Sequence, residues 1–170
     1  AHSWSIPPVV KDGVTISKYA CSPELSGNTG TNITGIGVIC HEFGHVLGSL
    51  DFYDTNYGTG GQYSGTGYWD LMASGSWNNN GITPAHHNPY TKIVNYNWAT
   101  ATVLSSNTSI TLSNAEEYNS SFYRINTQTT NEYFLIENRQ QHKFDANIPG
   151  HGMIIYHVDG NYISTAGNQI

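Results

Sequence analysis

Apolar and polar residues change their rhythm twice along this chain, and each change marks a different kind of segment. Near the start, Val9-Val10 and Val14-Thr15-Ile16 are short β-branched runs beside Pro7-Pro8 and Gly13, so residues 1–31 read as strand and loop. From Thr31 or Asn32 to Leu47 the spacing turns helical. Ile33, Ile36, Gly37, Cys40 and Gly44 fall on one packing face, behind a polar start at Thr31 or Asn32. Gly35, Gly37 and Gly44 each weaken an isolated helix by about 1 kcal/mol relative to alanine, so packing or a ligand has to offset them. Such small residues imply that another element comes close to this helix.

Residues 51–81 carry no sustained period. Gly58-Thr59-Gly60-Gly61, Gly65-Thr66-Gly67 and Asn78-Asn79-Asn80-Gly81 mark successive turns, while Tyr63, Tyr68, Trp69 and Trp77 argue for a packed, functional loop over a linker. After Thr83-Pro84, residues 85–96 are expected to form a second helix carrying His86, Tyr90, Ile93 and Val94 and ending near Trp98. From Thr100 onward the period becomes that of strands. Ser109–Leu112, Ser121–Asn126, Glu132–Glu137 and Gly152–Val158 are short apolar or alternating runs separated by turns, as in an antiparallel sheet. The expectation is an α+β chain with a helix-bearing region over 1–99 and a β-rich region over 100–170.

Composition narrows the partners. In 170 residues only 11% are charged and 12% are aromatic, the net charge is −6, and the six Lys and Arg are scattered. Nucleic acid and anionic membranes are therefore poor partners. No run of about eighteen apolar residues is present to span a bilayer. The abundance of Tyr, Trp, Asn, Gly, Ser and Thr fits a secreted β-rich protein.

The chemistry concentrates in His41-Glu42-Phe43-Gly44-His45-Val46-Leu47-Gly48-Ser49-Leu50-Asp51. On a helix, positions i and i+4 share a face, so His41 and His45 can offer ring nitrogens to one ion. Gly48 can take a left-handed conformation that ends the helix and lets Asp51 return as a third ligand. Three protein ligands with a fourth position open to water make a catalytic zinc site, and Glu42 lies where it can take that water's proton. A His-Glu-x-x-His match arises by chance in roughly one or two chains of this length per hundred, and the added Gly48 and Asp51 make coincidence much rarer. The competing reading makes Asp51 and Asp54 turn residues or ligands of a second ion such as calcium, with Asp159 a further candidate.

The pattern HExxHxxGxxD resembles the metzincin clan, whose methionine turn is matched by Met72 in Tyr68-Trp69-Asp70-Leu71-Met72-Ala73-Ser74-Gly75. More narrowly, HEFGHVLGSLDFYDT, GYWDLMASGSW, TPAHHNPYTKIVNYNW, YFLIENRQQ and PGHGMIIYHVD are similar to the immune inhibitor A family of secreted bacterial metallopeptidases, over most of residues 17–159. Family members commonly read GLPD where this chain has Gly48-Ser49-Leu50-Asp51, and LGW where it has Tyr96-Asn97-Trp98. The resemblance implies a zincin-like catalytic lobe followed by an antiparallel β region, Zn2+ as cofactor, and protein or peptide substrates. It also implies that the chain is a fragment of a longer protein, because about forty residues precede His41 where such peptidases have a larger backing segment.

In that reading Glu42 is the general base, and Met72 forms an apolar floor beneath the imidazoles. Among Tyr68, His86, His87 and Tyr90, His86 ranks first as a donor to the developing oxyanion. Asp70 can orient the turn by hydrogen bonds. His151 and His157 read as structural. Cys21 and Cys40 offer a bridge between a loop and the helix, contributing on the order of 3 kcal/mol in the chain-entropy model; the alternative is two free thiols. Two other functions stay open: an inactive zinc-containing binding or adhesion module, and a zinc hydrolase acting on something other than peptides. A structural zinc has no need of a base at position 42, which favours the peptidase.

Overall fold

The computed structural model describes residues 1–27, 30–57 and 62–163, so the Gly58–Gly61 turn expected from the sequence lies outside the described residues. The chain opens with a hairpin of β1 (His2–Lys11) and β2 (Val14–Cys21), antiparallel from His2 opposite Cys21 to Lys11 opposite Val14. Asp12 and Gly13, both with positive φ (52° and 78°), make the two-residue turn that matches strand twist. The register shifts between Ser5 and Val9, where Pro7 and Pro8 cannot donate to a ladder.

One α-helix follows, α1 (Ile36–Val46), shorter at its start than the sequence pattern implied. Gly35 is extended (φ −62°, ψ 151°), and Ile33 instead bridges Leu25, so residues 31–35 leave the helix. The expected close approach is present. A Cβ on Gly37 would lie 1.9 Å from the Ser76 carbonyl oxygen, and one on Gly35 2.5 Å from that of Gly81. The glycines thus let the Ser74–Gly81 segment, 3₁₀ turns broken by non-helical backbone at Asn78, Asn79 and Asn80, lie directly on the helix.

The second predicted helix shrinks to a single π-helical turn, Thr91–Asn95. Residues before it are committed elsewhere. Asn88 bonds to Asp70 through its main chain and side chain, its Oδ1 accepts the Thr91 N–H, and the His86 carbonyl accepts the Leu71 N–H. At the end of this turn Asn97 has φ +55°, a left-handed conformation that asparagine tolerates better than most residues.

The rest forms a four-stranded sheet in the order β3 (Ala101–Val103), β4 (Phe122–Asn126), β5 (Glu132–Arg139), β6 (Gly152–Asp159). Pairs β4–β5 and β5–β6 are antiparallel, but β3 runs parallel to β4, so the sheet is mixed and the purely antiparallel expectation is corrected. Ser109–Leu112 is not a strand. Its carbonyls are taken by side chains, Thr111 by the Tyr123 hydroxyl and Leu112 by Asn138 Nδ2, and no ladder forms.

The core is divided. Phe52, Met72 and Ala73 pack beneath α1, whereas Tyr133, Leu135 and Val158 of the sheet pack against Tyr90, Ile93 and Ala101. A buried polar network joins these parts: the Arg139 guanidinium, fully buried, donates to Asp145 by two bonds of 2.6 Å, to Glu137 at 3.1 Å and to the Trp69 carbonyl at 3.0 Å. Both cysteines are free, contrary to the bridge. Cys21 is exposed with its Sγ 3.4 Å from the His2 ring, and Cys40 is half-buried on α1, its thiol pKa raised by burial. Among the described residues no helix is long and apolar enough to cross a membrane.

Candidate active site

Helix α1 sets His41 and His45 one turn apart, with their rings edge to face at 4.9 Å between centroids. Each ring is steered from behind. His41 Nδ1 lies 2.9 Å from the Leu71 carbonyl and His45 Nδ1 3.0 Å from the Ser49 carbonyl. A carbonyl only accepts, so Nδ1 carries the proton in both and each Nε2 presents a lone pair. Gly48 (φ +108°) turns the chain out of the helix, and Ser49 is anchored by its N–H on the Gly44 carbonyl and its hydroxyl beside Thr91 Oγ1 at 3.2 Å.

That turn delivers Asp51. Its Oδ1 lies 3.2 Å from His41 Nε2 and 3.3 Å from His45 Nε2, and the three ligand atoms lie within 4.8 Å of one another. Asp51 Oδ1 is buried and accepts no well-aligned hydrogen bond. Two nitrogen lone pairs facing a carboxylate oxygen repel unless a cation sits among them. The spacing suits one: a tetrahedral zinc with ligand distances of about 2.0–2.1 Å separates its ligands by about 3.3–3.4 Å. Without a metal, protons take that role. Burial disfavours the imidazolium at His41 and His45, but the Asp51 carboxylate and the backbone acceptors outweigh it and raise both pKa values. Burial would likewise raise Asp51, and the two imidazoles instead hold it well below the usual carboxylate range.

The methionine turn supports this group from below. Asp70, fully buried, accepts from the Met72 N–H at 3.2 Å, the Asn88 N–H at 3.0 Å, Asn88 Nδ2 at 2.6 Å and the Thr66 hydroxyl at 2.9 Å. This fixes Leu71, whose carbonyl holds His41, and Met72, whose sulfur would lie 2.6 Å from a Cβ on Gly44. The Tyr96 hydroxyl donates to the Gly44 carbonyl at 2.9 Å and braces the same turn of helix.

Glu42 is half-buried and lines, with His41, a cavity of about 510 Å³ whose walls include Val38, Tyr53, Ala73 and Trp77. Tyr53 is a residue that sequence reasoning missed. Burial and then the nearby Asp51 carboxylate raise its phenol to about 12, so it stays a protonated donor beside the site. Its only sequence signal is an aromatic residue two positions after the third carboxylate.

The structure does not bring His86 to this group. It lines a separate cavity with His87, Lys92 and Glu116, its Nε2 3.9 Å from Glu116 Oε1, and its N–H donates to Asp145. Burial keeps His86 and His87 neutral, with pKa values lowered to about 3. Asp54 and Asp159 are not brought together either; each caps its own turn, accepting from Asn56 and Tyr57 and from Asn161. His157 pairs with Glu132 at 2.7 Å on the sheet surface.

Residues 9–99, more than half of the chain, match the family described as immune inhibitor A peptidase M6, catalytic domain. The chain belongs to this family. All three members of the His-His-Asp group fall inside the matched residues of this M6 chain. It is 57% identical over 45 residues to the pre-pro-metalloprotease PrtV of Vibrio cholerae serotype O1, covering 24% of the chain and 4% of PrtV. It is 37% identical over 71 residues to immune inhibitor A of Bacillus thuringiensis subsp. alesti, covering 38% of the chain and 10% of that protein. The M6 chain therefore spans a small part of the curated relatives it matches. Membership implies a metal-dependent peptidase fold, and the mixed α and β architecture is compatible with it.

Proposed function

We propose that this chain is the catalytic part of a secreted zinc endopeptidase of the metzincin-like type, with residues 1–99 as the catalytic region and 100–170 as a supporting β region. The observation that carries the reading is the set of three ligand atoms, His41 Nε2, His45 Nε2 and Asp51 Oδ1, with Asp51 at 3.2 and 3.3 Å from the two nitrogens as in a tetrahedral ion's shell, beside a cavity lined by Glu42. A zinc bound there would polarise a peptide carbonyl and acidify water.

The protein's own groups do the rest. The Leu71 and Ser49 carbonyls keep the two imidazoles in one tautomer and orientation. Glu42 takes the proton of the attacking water and passes it to the leaving amine. Tyr53, protonated and facing the same cavity, is placed to donate to the oxygen that gains charge, a role that the position of His86 does not suit. Met72, fully buried against Gly44 of α1, supplies an apolar support for that helix without offering a ligand.

The test is Glu42→Gln. Its expected outcome is loss of casein cleavage with bound zinc retained, because the substitution removes the base and leaves the ligands. Undiminished cleavage by this variant would overturn the mechanism. Zinc retained with no cleavage even by the wild-type chain would favour the non-catalytic binding module.

A further inference from the structure

The cavity beside Glu42 has an uneven chemistry. Tyr53, Tyr57, Tyr63 and Trp77 line it, and among the described lining residues Glu42 is the one carboxylate. A volume of about 510 Å³ accommodates the largest natural side chain. An acidic side chain entering it would face the like charge of Glu42. A basic one would pair with Glu42 and compromise the proton carrier. A large uncharged side chain meets neither obstacle and covers aromatic surface that otherwise lies in water.

Trp77 stands on an anchored backbone. The residue is 64% exposed, yet those on either side, Ser76 and Asn78, are buried at 3% and 5%. Ser76 Oγ donates to the Ala73 carbonyl and Asn78 Nδ2 to the Tyr68 carbonyl. The backbone beneath lies directly on Gly37 of α1. An exposed indole on an anchored backbone, at the edge of a cavity that reaches the base, is a ready platform for a flat or branched apolar group.

Resting on the peptidase reading above, we infer that this chain selects a large uncharged side chain, aromatic foremost, on one side of the bond it cuts, and that Trp77 sets this preference. The test is kcat/KM on two peptide series, each varied at one residue flanking the cut: Ala, Leu, Phe, Trp, Asp and Lys. In one series Phe and Leu should exceed Ala by at least tenfold, with Asp the poorest. Trp77→Ala should reduce the Phe-to-Ala ratio at least fivefold, and Trp77→Lys should raise Asp relative to Phe.

Binding gives an independent readout. A Phe-containing peptide added to the Glu42→Gln protein should quench a component of the tryptophan fluorescence that is missing when Trp77→Tyr is added to that background. Cutting without preference, or ratios unchanged in both Trp77 variants, would overturn the inference and leave the peptidase reading intact. Absence of cutting on every peptide by the zinc-loaded wild-type chain would overturn that reading and this inference with it.

Discussion

Replacing Gly37 by alanine sets helix propensity against packing, and the structure says which wins. Propensity alone favours alanine by about 1 kcal/mol in a helix interior, and by no more than that at Gly37, the second residue of α1. The added Cβ, however, would lie 1.9 Å from the Ser76 carbonyl oxygen and 2.9 Å from its carbon. Carbon–oxygen contacts settle near 3.3–3.6 Å, so the Ser74–Gly81 segment must retreat by about 1.5 Å. The obstacle is backbone that cannot rotate aside, which places the overpacking cost near the upper end of about 1–3 kcal/mol. Setting the propensity gain against it leaves a net destabilisation of about 2 kcal/mol. For a chain of this size that lowers Tm by roughly 4–8 °C. Thermal and urea unfolding followed by tryptophan fluorescence reads the shift, with an unchanged urea m-value showing that the unfolded state is comparable. A Gly37→Ala protein as stable as the wild type, or more so, would refute the packing of the 74–81 segment on α1. Because that segment also carries Trp77, the variant should lose discrimination between peptides as well.

Arg139→Met should destabilise by about 3–5 kcal/mol in urea unfolding, since it leaves the buried Asp145 and Glu137 without their cation; a loss under 1 kcal/mol would contradict the network. Asp70→Ala should lower Tm and weaken zinc retention together, because the same carboxylate holds both the Met72 turn and Asn88, and unchanged retention would separate that turn from the metal group. Stability should fall on acidification. His86 and His87, with pKa values lowered to about 3, bind fewer protons folded than unfolded, so stability declines from about pH 6.5 toward 3. Asp145, lowered because Arg139 more than offsets its burial, contributes stability above its unfolded pKa of about 3.9 that is lost as pH falls through the folded value. Comparing His87→Gln with the wild type by Tm against pH isolates one of these groups, and the variant should show the shallower acid limb.

Legibility in the sequence followed how local each signal was. His41, Glu42 and His45 lie within one helical turn, and the structure gathers His41, His45 and Asp51 because a single glycine, Gly48, suffices to return the chain. Gly35 and Gly37 announced a close neighbour but not its identity, since Ser76 and Gly81 lie about forty residues away. The strands β4, β5 and β6 were legible from alternation. The short β3 was not, because three residues carry no period and their partner is chosen by tertiary contact. Ser109–Leu112 alternates like a strand yet pairs through side chains, and the helix expected over 85–96 is pre-empted by bonds from Asn88 to Asp70 and from Leu71 to His86. The surroundings of His86 were hidden for the same reason. Its neighbours come from residues 116 and 145, which no local pattern around position 86 reveals.

The most direct test of the account is the metal content of the purified chain by elemental mass spectrometry, with the wild type compared to Asp51→Ala. About one zinc per wild-type chain and a weakened or lost ion in the variant are expected, because Asp51 Oδ1 completes the proposed ligand set with His41 and His45. Equal zinc in both proteins would remove Asp51 from the site, and no zinc in either would contradict the metal centre itself.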